Sequence, residues 1–188
     1  MTQPDWQGHT SLVAVSGPKW TLVEPTPSAP ASVTPDPPRG MFAVKVDGKG
    51  RLKLPAVFQE YFKGIGCEKF FVTTVDATLL YVYPTAVWRL NEERLDNATA
   101  TEADLEAAES VRFLANHFGQ DVSPDSEWRI SIHQDLRNTL DLSEKQVHLT
   151  YENGYVKGYS EAEFAKRLEA AKGDLGGKLK LLKTKGFK

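Results

Sequence analysis

The chain has 188 residues and a mass of 20.9 kDa, room for one domain or two small ones with a buried core. Its 23 lysines and arginines stand against 25 aspartates and glutamates, a net charge of -2 that excludes a uniformly basic nucleic-acid coat while leaving local patches open. A lone cysteine, Cys67, excludes an internal disulfide and a multi-cysteine zinc site, and no apolar run approaches the ~20 residues of a membrane span.

One thiol points to a reducing compartment, and the N-terminus lacks a basic start followed by a long apolar stretch. A soluble intracellular protein is the resulting expectation. Eight of the eleven prolines lie in residues 1–38, where neither helical nor strand periodicity is present, so this stretch reads as a mostly disordered leader. From Arg39 the texture changes. Val44, Val46, Leu52 and Leu54 alternate with polar residues around Asp47-Gly-Lys-Gly50, which predicts two strands joined by a tight connection. Pro55 suits the first turn of a short helix carrying Phe58, Tyr61 and Phe62, stopped by Gly64-Ile-Gly66. Lys69–Val75 and Leu79–Tyr83 read as strands, and Pro84 opens a helix with Val87, Trp88 and Leu95 facing inward. Thr101 with Asp104 resembles a capping signal for a longer helix through about His117.

The same order then returns. Asp47-Gly-Lys-Gly-Arg51-Leu-Lys-Leu54 aligns with Asp125-Ser-Glu-Trp-Arg129-Ile-Ser-Ile132 at an offset of 78, which also pairs Phe58 with Leu136. At an offset of 76, Tyr83 aligns with Tyr159 and Trp88 with Phe164, and Ser160 with Glu163 forms a capping box. These matches predict an internal duplication, 39–95 and 121–171, joined by a helix over 101–118. The tail from Lys172 carries six lysines against Asp174, either a solvated end or a non-specific phosphate contact.

Charge is segregated along the chain. Arg39, Lys45, Lys49, Arg51, Lys53 and Lys63 face only Asp47 and Glu60 in residues 39–63, whereas residues 91–110 hold seven acids and only Arg94. A basic two-stranded ribbon can lie in a DNA groove, lysines neutralising phosphates and arginine chelating guanine. A hairpin tip whose charges merely face water is the other reading. Enzyme chemistry finds little support: His9, His117, His133 and His148 form no metal motif, Gly173–Lys178 misses the phosphate-loop spacing, and Cys67 has no histidine near it in sequence. His133 and His148 are expected at most to form a hydrogen-bonded surface pair.

The repeated Asp-x-x-x-Arg hairpin resembles the MraZ family of bacterial DNA-binding regulators. The resemblance covers residues 39–171 and rests on Arg39-Gly40, Asp47–Pro55, Leu80-Tyr-Val-Tyr-Pro84 and Trp88, then Asp125, Arg129, Leu136 and Arg137. It implies an α+β, β-rich fold: two tandem swapped-hairpin, AbrB-like β-barrel halves with short helices, forming a pseudo-dimer within one chain. It also implies a ring-shaped homo-oligomer on promoter repeats, acting in the cytoplasm and nucleoid as repressor of its own division and cell-wall gene cluster. The segments would be a leader (1–38), a first copy (39–95), a connecting helix (96–120), a degenerate second copy (121–171) and a basic tail (172–188).

The expected DNA contacts are Arg51 first, flanked by Lys49 and Lys53, then Arg39 and Lys45, with Arg129 as the second-copy counterpart. Asp47, Gly50 and Asp125 would shape and orient the hairpins. No cofactor, metal, membrane or small-molecule substrate is expected. Three departures from the family pattern stand out besides the leader: Trp128 in place of glycine, His133 in place of proline, and the added acid Glu127. An indole is expected not to supply glycine's backbone freedom, leaving the second tip to bind weakly or serve packing. A ring-forming scaffold without specific DNA binding is the rival reading, and an antitoxin-like role a third.

Overall fold

Apolar side chains first become fully buried at Val46, Leu52 and Leu54, and the chain extends on both sides of the intervening Asp47–Gly50 turn. β1 spans Met41–Lys45 and β2 spans Arg51–Lys53. Pro55, at φ -55, precedes α1 (Ala56–Gly64), where a proline's fixed φ suits the start of a helix. Phe58 and Phe62, four residues apart on one face, are its buried side chains. β3 (Phe70–Thr73) and β4 (Leu80–Pro84) follow, joined by a turn that Asp76 builds by accepting the Thr78 and Leu79 N–H groups at 2.9 and 3.0 Å.

α2 (Thr85–Asp96) buries Trp88, whose indole N–H donates to Glu92 at 2.9 Å. α3 (Glu102–Phe118) starts where the Thr101 hydroxyl accepts the Asp104 N–H at 3.1 Å. The second half repeats the order: β5 (Gln120–Val122), β6 (Arg129–Ser131), α4 (Gln134–Thr139), β7 (Gln146–Glu152), β8 (Tyr155–Ser160) and α5 (Glu161–Lys172), the last capped by Ser160. The basic tail contains a further helix, α6 (Leu175–Thr184). The structure, a computed structural model, describes residues 35–98 and 100–188, all within one unit, Thr34–Lys188. The proline-rich leader thus lies outside the described residues up to residue 34.

Six strands form one antiparallel sheet in the order β1-β7-β8-β4-β3-β5, and β2 with β6 forms a separate two-stranded ribbon. The order is the same from either end once the halves are equated. The first strand of each half pairs with the third strand of the other, β1 on β7 and β5 on β3. The fourth strands meet at the centre, Val82 opposite Val156, and the ribbon is centred on Leu52 opposite Ile130. The two strands flanking Asp47–Gly50 were expected as neighbours, yet only a Val46–Leu52 bridge links them directly.

β4 shows how the sheet is covered on both faces. Leu80 and Val82 point into the larger core with Leu52, Phe58, Phe62, Ile130 and Leu136, while Tyr81 and Tyr83 point the other way, toward Trp88, Ala115 and Tyr159. The side chains alternate, as strand geometry requires, but both sets are buried. Thr73 ties α3 to the second face by donating its hydroxyl to the Ala115 carbonyl at 2.8 Å. The architecture is therefore α+β and β-rich, with six helices among the described residues. It departs from the expected barrel halves: the described strands do not close, since β1 and β5 end the sheet at opposite edges and the chain leaves each of them for the ribbon.

Candidate nucleic-acid interface

Each strand of the ribbon is entered through a turn built by one aspartate. Asp47 Oδ1 accepts the N–H groups of Lys49 and Arg51 at 2.9 and 2.8 Å, while the Gly50 N–H donates to the Asp47 carbonyl at 2.8 Å. The other carboxylate oxygen takes the Arg51 Nε and Nη2 at 2.9 and 2.8 Å. Asp125 repeats the device. It accepts the N–H groups of Glu127 and Arg129 at 2.9 and 3.0 Å and the Arg129 Nε at 2.7 Å. The tips lie side by side, with Arg51 Nη1 3.7 Å from Asp125 Oδ2.

These contacts fix the charge states. Asp125 is held down at about 2, first by the backbone N–H of Arg129 and then by its guanidinium. Asp47 is lowered too, first by the Arg51 N–H. Arg129 is pushed upward by the hydrogen bond that it donates to Asp125. An arginine held this way loses little freedom when it presents its remaining N–H groups outward. The side chains of Arg51 and Arg129 are each 28% exposed, so both retain an edge toward solvent.

The first tip adds Lys49 at its apex and Lys53 on β2, both exposed and, among the described residues, in no ion pair. Lys45, exposed at the end of β1, joins them from across the Val46–Leu52 bridge. Arg39 does not join: it precedes β1, and the strand between Met41 and Asp47 alone carries the chain about 20 Å. Arg129 is brought to the interface, but Glu127 lies 3.1 Å from its Nη1 and cancels its charge. The first tip is thus cationic and the second acidic.

Trp128 corrects an expectation. It adopts φ 59, the left-handed backbone that Gly50 holds at φ 75 in the equivalent position. A side chain there costs about 1–2 kcal/mol. What offsets that cost comes from both halves: the Trp128 N–H donates to the Asp125 carbonyl at 2.9 Å, its own carbonyl accepts from Leu54 at 2.9 Å, and its ring packs on the core beneath Lys63 Nζ, 5.1 Å from the ring centre. At Gly50, by contrast, a Cβ would fall 1.7 Å from Arg137 Nη1, so the guanidinium would have to leave its place over the turn.

Arg137 and Lys63 were not among the expected site residues. Arg137 Nη1 donates to the Ile132 carbonyl at 2.5 Å, and Gln59, its counterpart at offset 78, makes the same bond to Leu54 at 2.6 Å. The repeat offset held that signal, but the pairing of a long arginine with Gly50 crosses between the halves. Lys63 sits with Lys45 and Lys53 around a groove of about 990 Å3 floored by Phe42, Pro55 and Trp128.

The histidines stay apart. His148 stacks on Phe164 at 3.8 Å, and His133 Nδ1 lies 3.9 Å from Asp135, with no hydrogen bond between the two histidines among the described residues. No group of three or more metal-ligating side chains gathers among the described residues. No described helix is long and apolar enough to cross a membrane.

Residues 39–110 match the family described as "MraZ protein, putative antitoxin-like". The chain is 33% identical over 107 residues to a transcriptional regulator MraZ of Acidobacterium capsulatum, covering 56% of this chain and 70% of that protein. A regulator of the same name from Desulforamulus reducens is 34% identical over 108 residues, covering 57% and 71%. The Geobacter sp. (strain M21) regulator aligns over 141 residues at 30% identity, covering 70% of this chain and 88% of its own length.

Proposed function

Because the chain belongs to the MraZ family, we propose that it is a transcriptional regulator that binds double-stranded DNA through the cationic Asp47–Arg51 tip and represses its own division and cell-wall gene cluster. The observation that carries this reading is the tip itself: an arginine pre-oriented by a carboxylate, on an exposed ribbon, between two lysines that no acid neutralises among the described residues. Arg51 supplies the base-edge or phosphate contact; Lys49, Lys53 and Lys45 contact phosphates, and Arg39 reaches the backbone only at the far end of β1. Asp47 and Asp125 shape the turns, Gly50 makes room for Arg137, and Arg129 is a weaker second contact because Glu127 opposes it.

The cross-pairing of β1 with β7 and β3 with β5 supports reading the halves, 39–95 and 121–171, as swapped AbrB-like hairpins that make a pseudo-dimer around the connecting segment 96–120. In this reading chains assemble into a ring in the nucleoid, so that modest contacts multiply along promoter repeats by effective concentration. Leader 1–38 and tail 172–188 lie outside the repeated core.

A second reading has its own observation. Both arginines are engaged by carboxylates and the second tip is acidic, as a ring-forming scaffold without specific DNA binding would tolerate. Fluorescence anisotropy separates them. A duplex from upstream of the gene and a scrambled duplex are titrated at two salt concentrations with wild type and Arg51→Ala. The regulator reading expects a native-duplex preference that survives moderate salt and falls at least tenfold in the variant, a loss of about 1.4 kcal/mol or more. Equal and steeply salt-sensitive binding to both duplexes points to phosphate contact alone and removes the operator claim.

A further inference from the structure

Two helices of the chain leave apolar, charged faces uncovered, and the charges are opposite. α6 has no buried residue. Leu175, Leu179 and Leu182 recur at i, i+4 and i+7, which places them in one stripe, and they are 51%, 36% and 45% exposed. Lys178 and Lys185 flank the stripe on one side and Lys183 on the other. Lys178 is occupied, donating to the Gly173 carbonyl at 2.7 Å, but Lys180, Lys183 and Lys185 make no ion pair among the described residues. An exposed leucine stripe beside unpaired lysines is the kind of surface that marks an interaction site.

α3 carries the complement. Ala108, Ala115 and Phe118 face the protein, which turns Leu105 and Phe113 outward at 45% and 72% exposed. Glu102, Glu106 and Glu109 lie on that same outward face and enter no ion pair among the described residues. Cation meets anion and leucine meets phenylalanine when one helix is laid on the other. Both halves of the match are present on every copy, so the partner that always carries the complement is the chain itself.

We infer that α6 of one copy docks on the outward face of α3 of a second copy, its leucine stripe against Leu105 and Phe113 and its lysines against Glu102, Glu106 and Glu109. The contact joins unlike surfaces, so it propagates from copy to copy and yields a ring if the rotation closes. It rests on the reading of the chain as a homo-oligomer and names the surfaces that build it.

Analytical ultracentrifugation of the full chain tests this. Wild type is expected to sediment as a multimer, while Leu179→Glu with Leu182→Glu, and separately Phe113→Glu, each fall to the 20.9 kDa monomer. All three side chains are exposed, so circular dichroism is expected to show an unchanged fold. Mixing the two variants restores one intact contact and is expected to give a two-chain species and nothing larger. Exchanging charge, with Lys183 and Lys185 to Glu and Glu102, Glu106 and Glu109 to Lys, breaks assembly singly and restores it when combined in one chain. A multimer indifferent to these changes overturns the α6–α3 contact but leaves the oligomer reading standing. A wild type that is monomeric at all concentrations overturns both. If the lysine changes weaken duplex binding with assembly intact, α6 is a phosphate contact and the inference falls.

Discussion

A carboxylate that accepts two backbone N–H groups and one guanidinium is stable as an anion. Asp47 and Asp125 both do this within five residues of chain, so their geometry is almost wholly local. The pH dependence follows from the sign of the shift. Asp125 titrates at about 2 in the fold against an ordinary value of 3.8, so its stabilising effect is complete above about pH 4 and disappears as pH falls through about 2. Carbon-detected NMR of the Asp125 carboxyl is expected to give that low midpoint, and Arg129→Gln to move it back toward 3.8. An Asp125 midpoint that stays at the ordinary value in wild type contradicts the hydrogen-bonded turn. The Asp-x-x-x-Arg spacing was legible in the sequence at both tips, but that the second turn would form with Trp128 in place of glycine was not. Arg137 over Gly50 was not legible either, because it joins residues 87 positions apart and only the fold brings them together.

At the scale of elements, the ribbon is held by two residues that face each other, Leu52 and Ile130, both fully buried. With only three residues per strand, hydrogen bonds alone are too few to keep the tips aligned. Each of Leu52→Ala and Ile130→Ala is expected to cost about 2–5 kcal/mol, measured by urea unfolding, with the double variant costing less than the sum. A cost below about 1 kcal/mol for either would show that the ribbon does not depend on this pair. Element types were readable from proline and glycine placement and from alternation: Pro55, Pro84, Thr101 and Ser160 each precede a helix. Partners were not. Alternation places a side chain on a face of a strand but says nothing about which strand lies alongside, and so β1 was expected beside β2 when it pairs with β7. Trp128 shows the same limit at a turn, because its left-handed backbone is maintained by Leu54 and Lys63 from the other half.

The whole molecule is a near-symmetric body with an asymmetric surface. Its two halves share one strand pattern, yet one tip is cationic and the other acidic, and the acids of α3 and the lysines of α6 lie on opposite halves of the chain. A net charge of -2 therefore conceals separate regions of each sign. That separation was visible in the sequence as charge runs, whereas the exposed leucine stripe that gives the lysines a direction required the helix.

The exchange of first strands between halves also bears on how the chain is made. β1 pairs with a strand about 100 residues further on, so at about 5–20 residues per second of synthesis it emerges some 5–20 s before its partner exists. During that interval its edge is open to the β7 of any neighbouring copy that is further along. Refolding from urea is expected to show the same competition, with the yield of natively folded soluble protein falling as protein concentration rises, read by circular dichroism of the supernatant after dilution. A yield independent of concentration would mean that the two halves find each other within one chain faster than chains collide. On a crowded message, then, the spacing of ribosomes becomes one of the variables that decide which strand pairs with which.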